Sequence, residues 1–188
     1  MSVPQIEITT RYLEMTQPPA TPASRPWPEG LRIEHCPSPT LSFYYYLMIT
    51  IGEYWAWSGP RTKTDEENRA IIEDPSVHLF VPYMHGVPAG IVEVHAHKHP
   101  EVELMFFGLM PEFIGKGLGL VTLSWTVDRV FGMGAERFHL HTCTLDSPNA
   151  LPVYQKAGFT LYDEKRHSVP DPAHNGLFGD NRPRYWIP

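Results

Sequence analysis

Residues Glu101 to Leu120, EVELMFFGLMPEFIGKGLGL, hold the arrangement with the clearest chemical use: an apolar strand runs through Pro111 into a glycine-rich turn that opens a helix. A helix start leaves its first backbone N–H groups without partners, and the macrodipole adds partial positive charge there. An anion, above all a phosphate, can therefore sit on Gly115, Gly117 and Gly119. The plain alternative is that the three glycines only make a tight turn. Two familiar phosphate loops fail on spacing. A P-loop needs G-x-x-x-x-G-K-[ST], which the chain lacks. A dinucleotide fingerprint needs G-x-G-x-x-G and an acidic residue about 20 positions on, whereas that later region reads His139-Leu140-His141.

A second segment, Leu145 to Phe159 (LDSPNALPVYQKAGF), follows a strand-like FHLHTC, carries helix-start signals at Asp146, Ser147 and Pro148, and ends at Gly158. Glycine-turn helix, strand and short helix ending Tyr-Gln-Lys-Ala-Gly-Phe together resemble the GNAT superfamily of N-acetyltransferases. The pyrophosphate loop of that family reads Q/R-x-x-G-x-G/A, and its next motif ends Y-x-K-x-G-F. The resemblance is specific from about Val77 to Glu164, roughly half the chain, and vague on either side.

The resemblance implies an α+β fold, a mixed and mostly antiparallel sheet flanked by helices, whose strands ending at Leu109 and near Cys143 splay apart to admit the pantetheine arm of acetyl-CoA. It also implies transfer of the acetyl group to a primary amine of a small molecule or peptide, by direct attack in a ternary complex. Cofactor contacts are carried over to Leu109, Met110, Ile114, Gly115, Lys116, Gly117, Leu118, Gly119 and Leu120, and to Ser147, Asn149, Ala150 and Tyr154. The N–H of Leu109 or Met110 would polarise the thioester carbonyl, and the Tyr154 hydroxyl would protonate the departing sulfur. Glu103, six residues before Leu109, matches the general base of histone-type members, with an ordered water as the alternative. Two positions depart from the pattern: Ile114 stands where the family has Gln or Arg, and Ser147 where it commonly has Asn. In that family backbone N–H groups hold most of the pyrophosphate, and Ile114 would supply one as well as Gln does. The rival reading from another class is a non-catalytic acyl-CoA sensor or protein-binding module.

Composition agrees with one compact domain over residues 1–188: 42% of residues are hydrophobic and 19% charged. Fifteen basic against 21 acidic side chains give a formal charge of -6, which disfavours a nucleic-acid partner and mildly favours a cationic acceptor. No apolar run is long enough to span a membrane, and MSVPQIEITT has neither the basic nor the apolar region of a signal peptide, so a cytoplasmic protein is expected. Cys36 and Cys143 read as free thiols.

The elements that must position these residues follow from periodicity. Ile6 to Thr16 alternates weakly, like an edge strand, and Gln17 to Gly30, with five prolines, is an extended surface segment. Leu31 to Cys36 reads as a strand and Thr40 to Ile51 as a helix. Thr64 and Glu67 form a capping box for the next helix. From Val77 an antiparallel meander turns at His85 to Pro88 and at Lys98 to Pro100. The following helix puts Leu120, Leu123, Val127, Val130 and Phe131 on one face and ends at Gly132 and Gly134. Glu136 to Cys143 is the next strand, Pro148 to Ala157 the next helix and Phe159 to Arg166 another strand. The tail from Val169 to Pro188 is irregular, although Tyr185 to Ile187 could add a strand or dock on the core.

Alternation within the Glu101 strand sends Glu101, Glu103, Met105 and Phe107 to one face, with Leu104 and Phe106 behind. His95, His97 and His99 alternate at a spacing that suits a metal, yet they run into a turn where polar side chains are expected, so no metal is expected. His139 and His141 share a strand face that borders the cleft. Tyr54, Trp55 and Trp57 with Glu53, Asp65, Glu66 and Glu67 suit a cationic amine. The sheet also offers an edge through which a homodimer could pair.

Overall fold

The structure is a computed structural model that describes residues 3–20, 26–174 and 176–178. Its elements in chain order are β1 (Gln5–Met15), β2 (Leu31–His35), α1 (Leu41–Gly52), α2 (Asp65–Ile72), β3 (Val77–Met84), β4 (Val87–Pro88), β5 (Gly90–Lys98), β6 (Glu101–Leu109), α3 (Leu118–Gly132), β7 (Arg137–Cys143), α4 (Ala150–Ala157) and β8 (Thr160–Pro170). The described strands form one sheet in the order β2-β3-β5-β6-β7-β1-β8, with β4 paired to β3. Among the described strands only the β6–β7 pairing is parallel.

Local chemistry accounts for the meander. His85 (φ 51°) and Gly86 (φ 89°) both take positive φ, the type I′ geometry whose twist matches that of the flanking strands β3 and β4. Thr64 accepts from the Glu67 N–H while the Glu67 carboxylate accepts from the Thr64 N–H, so the capping box starts α2 as its spacing predicts.

Two apolar layers clamp the sheet. On one face α3 and α4 bury Leu123, Val127, Val130 and Tyr154 against Leu13, Val92, Leu104 and Leu140. On the other, α1 presents Tyr44, Leu47, Met48 and Ile51 at helical spacing to Leu79, Val81 and Ile91. Each fully buried aliphatic side chain contributes about 1.5–3 kcal/mol by leaving water.

Three expectations need correction. β1 is not an edge strand: it lies between β7 and β8. Its alternation is weak because its two ends bury opposite faces, Ile8 and Thr10 on one and Leu13 and Met15 on the other. β8 runs on to Pro170 because Val169 and Pro170 pair with Ile6 and Gln5, so the irregular tail begins later than expected. Tyr185 to Ile187 lie outside the described residues. In β6, Phe106 pairs with Glu93 and Leu104 with Val94, which leaves Met105 as a bulge. The extra residue reverses the alternation. Phe107 therefore joins Leu104 in the α3/α4 layer, and Phe106 packs with the α1 layer.

The bulge also fits the shape of the sheet. β6 pairs with β7 only over Glu101–Glu103 and Arg137–His139. Beyond that point the strands part, as the splay predicts, and a gap opens between Met105–Leu109 and Leu140–Cys143.

Candidate active site

The glycine loop closes one end of this gap. Gly115 (φ 80°) and Gly117 (φ 82°) are left-handed, a region where a Cβ is strained, so these two positions need glycine for the backbone path itself. Gly117 is the N-cap of α3 and supplies no side chain to satisfy the first turn, which leaves the N–H groups of Leu118, Gly119 and Leu120 for another acceptor. A Cβ on Gly119 would meet nothing closer than Leu109 Cδ1 at 3.8 Å. Space, not protein packing, lies beside that residue.

Two loop amides assigned to phosphate are used internally. The Ile114 N–H donates to Pro111 O at 3.3 Å and the Lys116 N–H to Phe113 O at 3.4 Å, closing the turn between β6 and α3. The Lys116 ammonium stands 5.4 Å from the Phe113 ring centre. Met110 is also removed from the cofactor set: its side chain is buried in the α1 layer, and its N–H donates to Ala89 O at 2.9 Å. Gly90 lies opposite Leu109, and the alternation of an antiparallel ladder then turns the Leu109 N–H away from β5, toward the gap.

A cavity of about 680 Å³ occupies the gap. Among the sequence-predicted residues it brings together Leu109, Ile114, Gly115, Gly117, Gly119, Leu120, Ser147, Asn149, Ala150 and Tyr154, while Met110, Lys116, Leu118 and Glu103 do not line it. Leu118 is buried beside Leu31 and Val121, so only its backbone faces the helix mouth.

Tyr154 sits between Phe107 and Phe159, each ring centre 6.2 Å away, and is almost fully buried. Burial, and then the Asp146 charge, raise its hydroxyl above the ordinary tyrosine range. It stays protonated at neutral pH and can donate.

Asp146 is the residue that sequence reasoning missed. Expected as a helix-start signal, it turns back instead: its carboxylate accepts from Thr142 Oγ1 (2.8 Å), the Cys143 N–H (2.8 Å) and Trp57 Nε1 (3.4 Å). Asn149 is the N-cap of α4, and its N–H donates to Ser147 Oγ at 3.3 Å. Trp57 thus ties the segment after α1 to the turn after β7, across the gap. No local signal marks this, since the two partners are remote in sequence.

Glu103 is half-buried, and its Oε1 lies 3.4 Å from His141 Nδ1. The hydrogen bond with His141 holds its carboxyl below the ordinary range. The same bond raises His141, against the effect of burial, with Asp146 adding to the rise. Burial lowers His139. Burial raises the Cys143 thiol, with Asp146 adding to the effect, and Cys143 lines the cavity.

The His95 and His97 rings meet edge to face, centres 5.2 Å apart, but each of the three alternating histidines has its own partner. His95 Nε2 bonds the buried Glu93 Oε1 at 2.7 Å, His97 lies 3.7 Å from Asp74, and His99 bonds Met133 O at 3.3 Å. Three of the four carboxylates proposed for a cationic acceptor are likewise engaged elsewhere. Asp65 accepts from the Tyr45 hydroxyl, Glu67 closes the capping box, and Glu53 lies 4.0 Å from Arg61. From that region the stretch Trp55 to Gly59 lines the cavity.

The model of the Acetyltransferase (GNAT) family matches residues 42–159, which is more than half of the chain. The chain belongs to the GNAT family. The family is one of acetyltransferases. No curated protein matches the sequence. Among solved structures, an N-acetyltransferase from Kribbella flavida superposes with a TM-score of 0.60 at 16% identity, over 89% of this chain and 60% of that one. An N-acetyltransferase from Sphaerobacter thermophilus gives 0.57 at 18%, over 89% of this chain and 53% of that one. A Bacillus subtilis acetyltransferase in complex with CoA gives 0.55 at 19%, over 71% and 78%. At such identities the likeness is one of fold. The chain spans about half the length of the Sphaerobacter protein. Among the described residues no helix of this GNAT protein is long and apolar enough to cross a membrane.

Proposed function

We propose that the protein is an acetyl-CoA-dependent N-acetyltransferase that acts on a primary amine of a small molecule or peptide by direct attack in a ternary complex. One observation carries the reading: a single cavity runs from the unsatisfied amides at the start of α3, along the gap between β6 and β7, to the buried hydroxyl-bearing ring of Tyr154.

The residues present fit coenzyme A. The amides of Leu118 to Leu120 face a site where a diphosphate gains both hydrogen bonds and the helix dipole. Open space beside Gly119 leaves room for close approach. The Leu109 N–H, turned into the gap, is placed to bind the thioester carbonyl oxygen and the negative charge that develops there. Ser147, Asn149 and Ala150 form the opposite wall, along the pantetheine arm. Tyr154, protonated at neutral pH, gives its proton to the departing sulfur.

Direct attack is favoured over an acyl-enzyme. The cavity's thiol, Cys143, is held protonated by burial and by the neighbouring Asp146, the reverse of what activates a cysteine nucleophile. Glu103 is proposed to assist removal of the amine proton, its carboxylate held 3.4 Å from His141. β8 is the long sheet edge at which a second copy would pair.

Free thiol released from acetyl-CoA in the presence of a panel of primary amines tests the proposal. Amine-dependent release supports it. Saturable CoA binding in calorimetry with no amine-dependent release would favour the sensor reading instead.

A further inference from the structure

The group that opens onto the cavity from the polar face of the sheet is an imidazole, not a carboxylate. His141 lines the cavity, whereas Glu103 lies behind it. The register explains why. β6 and β7 part after the Glu103–His139 pair, so the next residue on the same face of β7, His141, stands at the mouth of the gap. Its Nδ1 faces Glu103 Oε1 at 3.4 Å. A neutral imidazole whose Nδ1–H is engaged by a carboxylate presents Nε2 as a proton acceptor.

The other candidates near the gap are committed. Asp146 already accepts from three donors. Burial keeps Cys143 a thiol. The charged and titratable groups around His141 are Glu103 on β6, His139 on its own strand, Asp146 in the following turn and Tyr12 on β1, whose ring centre is 6.2 Å away. His95, opposite Glu103 on β5, is tied to Glu93. The two acidic neighbours favour the charged imidazolium that proton uptake creates, and burial opposes it.

We propose that His141 is the general base of the reaction, with Glu103 a positioning residue that fixes the imidazole through Nδ1. This rests on the acetyltransferase reading. In the step, the amine nitrogen forms its bond to the thioester carbonyl carbon and gives a proton to His141 Nε2. The carbon–sulfur bond then breaks and the sulfur takes the Tyr154 proton; as the proton on His141 leaves to solvent through the mouth of the cavity, solvent returns one to Tyr154, so both groups are restored.

The test pairs kinetics with a titration. kcat/KM is measured against pH with acetyl-CoA and a panel of phenethylamine, spermidine and Nα-acetyl-lysine methyl ester, for wild type, His141→Gln and Glu103→Gln. His141→Gln should lose about 10²-fold or more, with an unchanged KM for acetyl-CoA and no acidic limb. Glu103→Gln should keep the limb but move it to lower pH. In parallel, NMR titration should place the His141 imidazole above its ordinary value of about 6.5 in wild type and lower it in Glu103→Gln. A His141→Gln enzyme within about threefold of wild type, or one that keeps the acidic limb while Glu103→Gln loses it, overturns the assignment and leaves the acetyltransferase reading standing. If no amine in the panel is turned over, the titration decides: a His141 at or below its ordinary value, or one unmoved by Glu103→Gln, overturns the pair. A wild-type protein that binds no CoA overturns the acetyltransferase reading and this inference with it.

Discussion

Replacing Tyr154 with phenylalanine removes one oxygen from the proposed acid and little else. The ring keeps its place between Phe107 and Phe159, so the buried apolar surface is preserved. Loss of the hydroxyl should change folding stability by no more than about 1 kcal/mol. The kinetic effect should be far larger. A general acid contributes at least about 10²-fold, equivalent to about 2.7 kcal/mol of barrier. Because the proton moves only as the carbon–sulfur bond breaks, kcat and kcat/KM should fall together while KM for acetyl-CoA holds. The assay is thiol release at saturating acetyl-CoA, beside a thermal melt that confirms folding. A Tyr154→Phe enzyme with kcat within about threefold of wild type would refute the reasoning, as would a loss that appears wholly in KM.

Further outcomes follow from the same geometry. Gly119→Ala should leave the melting temperature almost unchanged, since its Cβ meets only Leu109 at 3.8 Å, while weakening CoA binding in calorimetry. Gly117→Ala, at φ 82°, should also cost about 1–2 kcal/mol of stability. Equal CoA affinity in wild type and Gly119→Ala would show that the space beside the helix mouth is not used. Leu123→Ala, at a fully buried position under the sheet, should cost about 2–5 kcal/mol in denaturant unfolding. Glu103, held below its ordinary value of 4.5, stabilises the fold above that pH and loses its contribution as the pH falls through its lower folded value. Melts of Glu103→Gln should therefore decline less steeply than wild type on acidification below about pH 4.5, the effect being small because the group is partly exposed. An identical acid profile in the two proteins would contradict the pairing with His141.

What could be read from the sequence was what local chemistry encodes. The Thr64 capping box, the His85-Gly86 turn, the glycine start of α3 and the period of its buried face each lie within a few neighbouring residues. What escaped depends on partners distant in the chain. The interior place of β1 follows from β8, more than 140 residues later, adding itself to the edge. The bulge at Met105 is set by the register of β5, and it reversed which of Phe106 and Phe107 joins each core layer. His139 and His141 could be placed beside the cleft by alternation. That His141 meets Glu103 needed the short parallel pairing of β6 with β7. Asp146 carries an ordinary helix-start signature, and only the approach of Thr142 and Trp57 reveals its different use.

Coenzyme A is proposed to set its diphosphate on the amides where α3 begins. Titration of the ¹⁵N-labelled protein with CoA, followed amide by amide, tests this most directly. Saturable shifts at Leu118, Gly119 and Leu120, larger than those elsewhere in α3, are the predicted result. Amides there that stay still as CoA reaches millimolar concentration would contradict it.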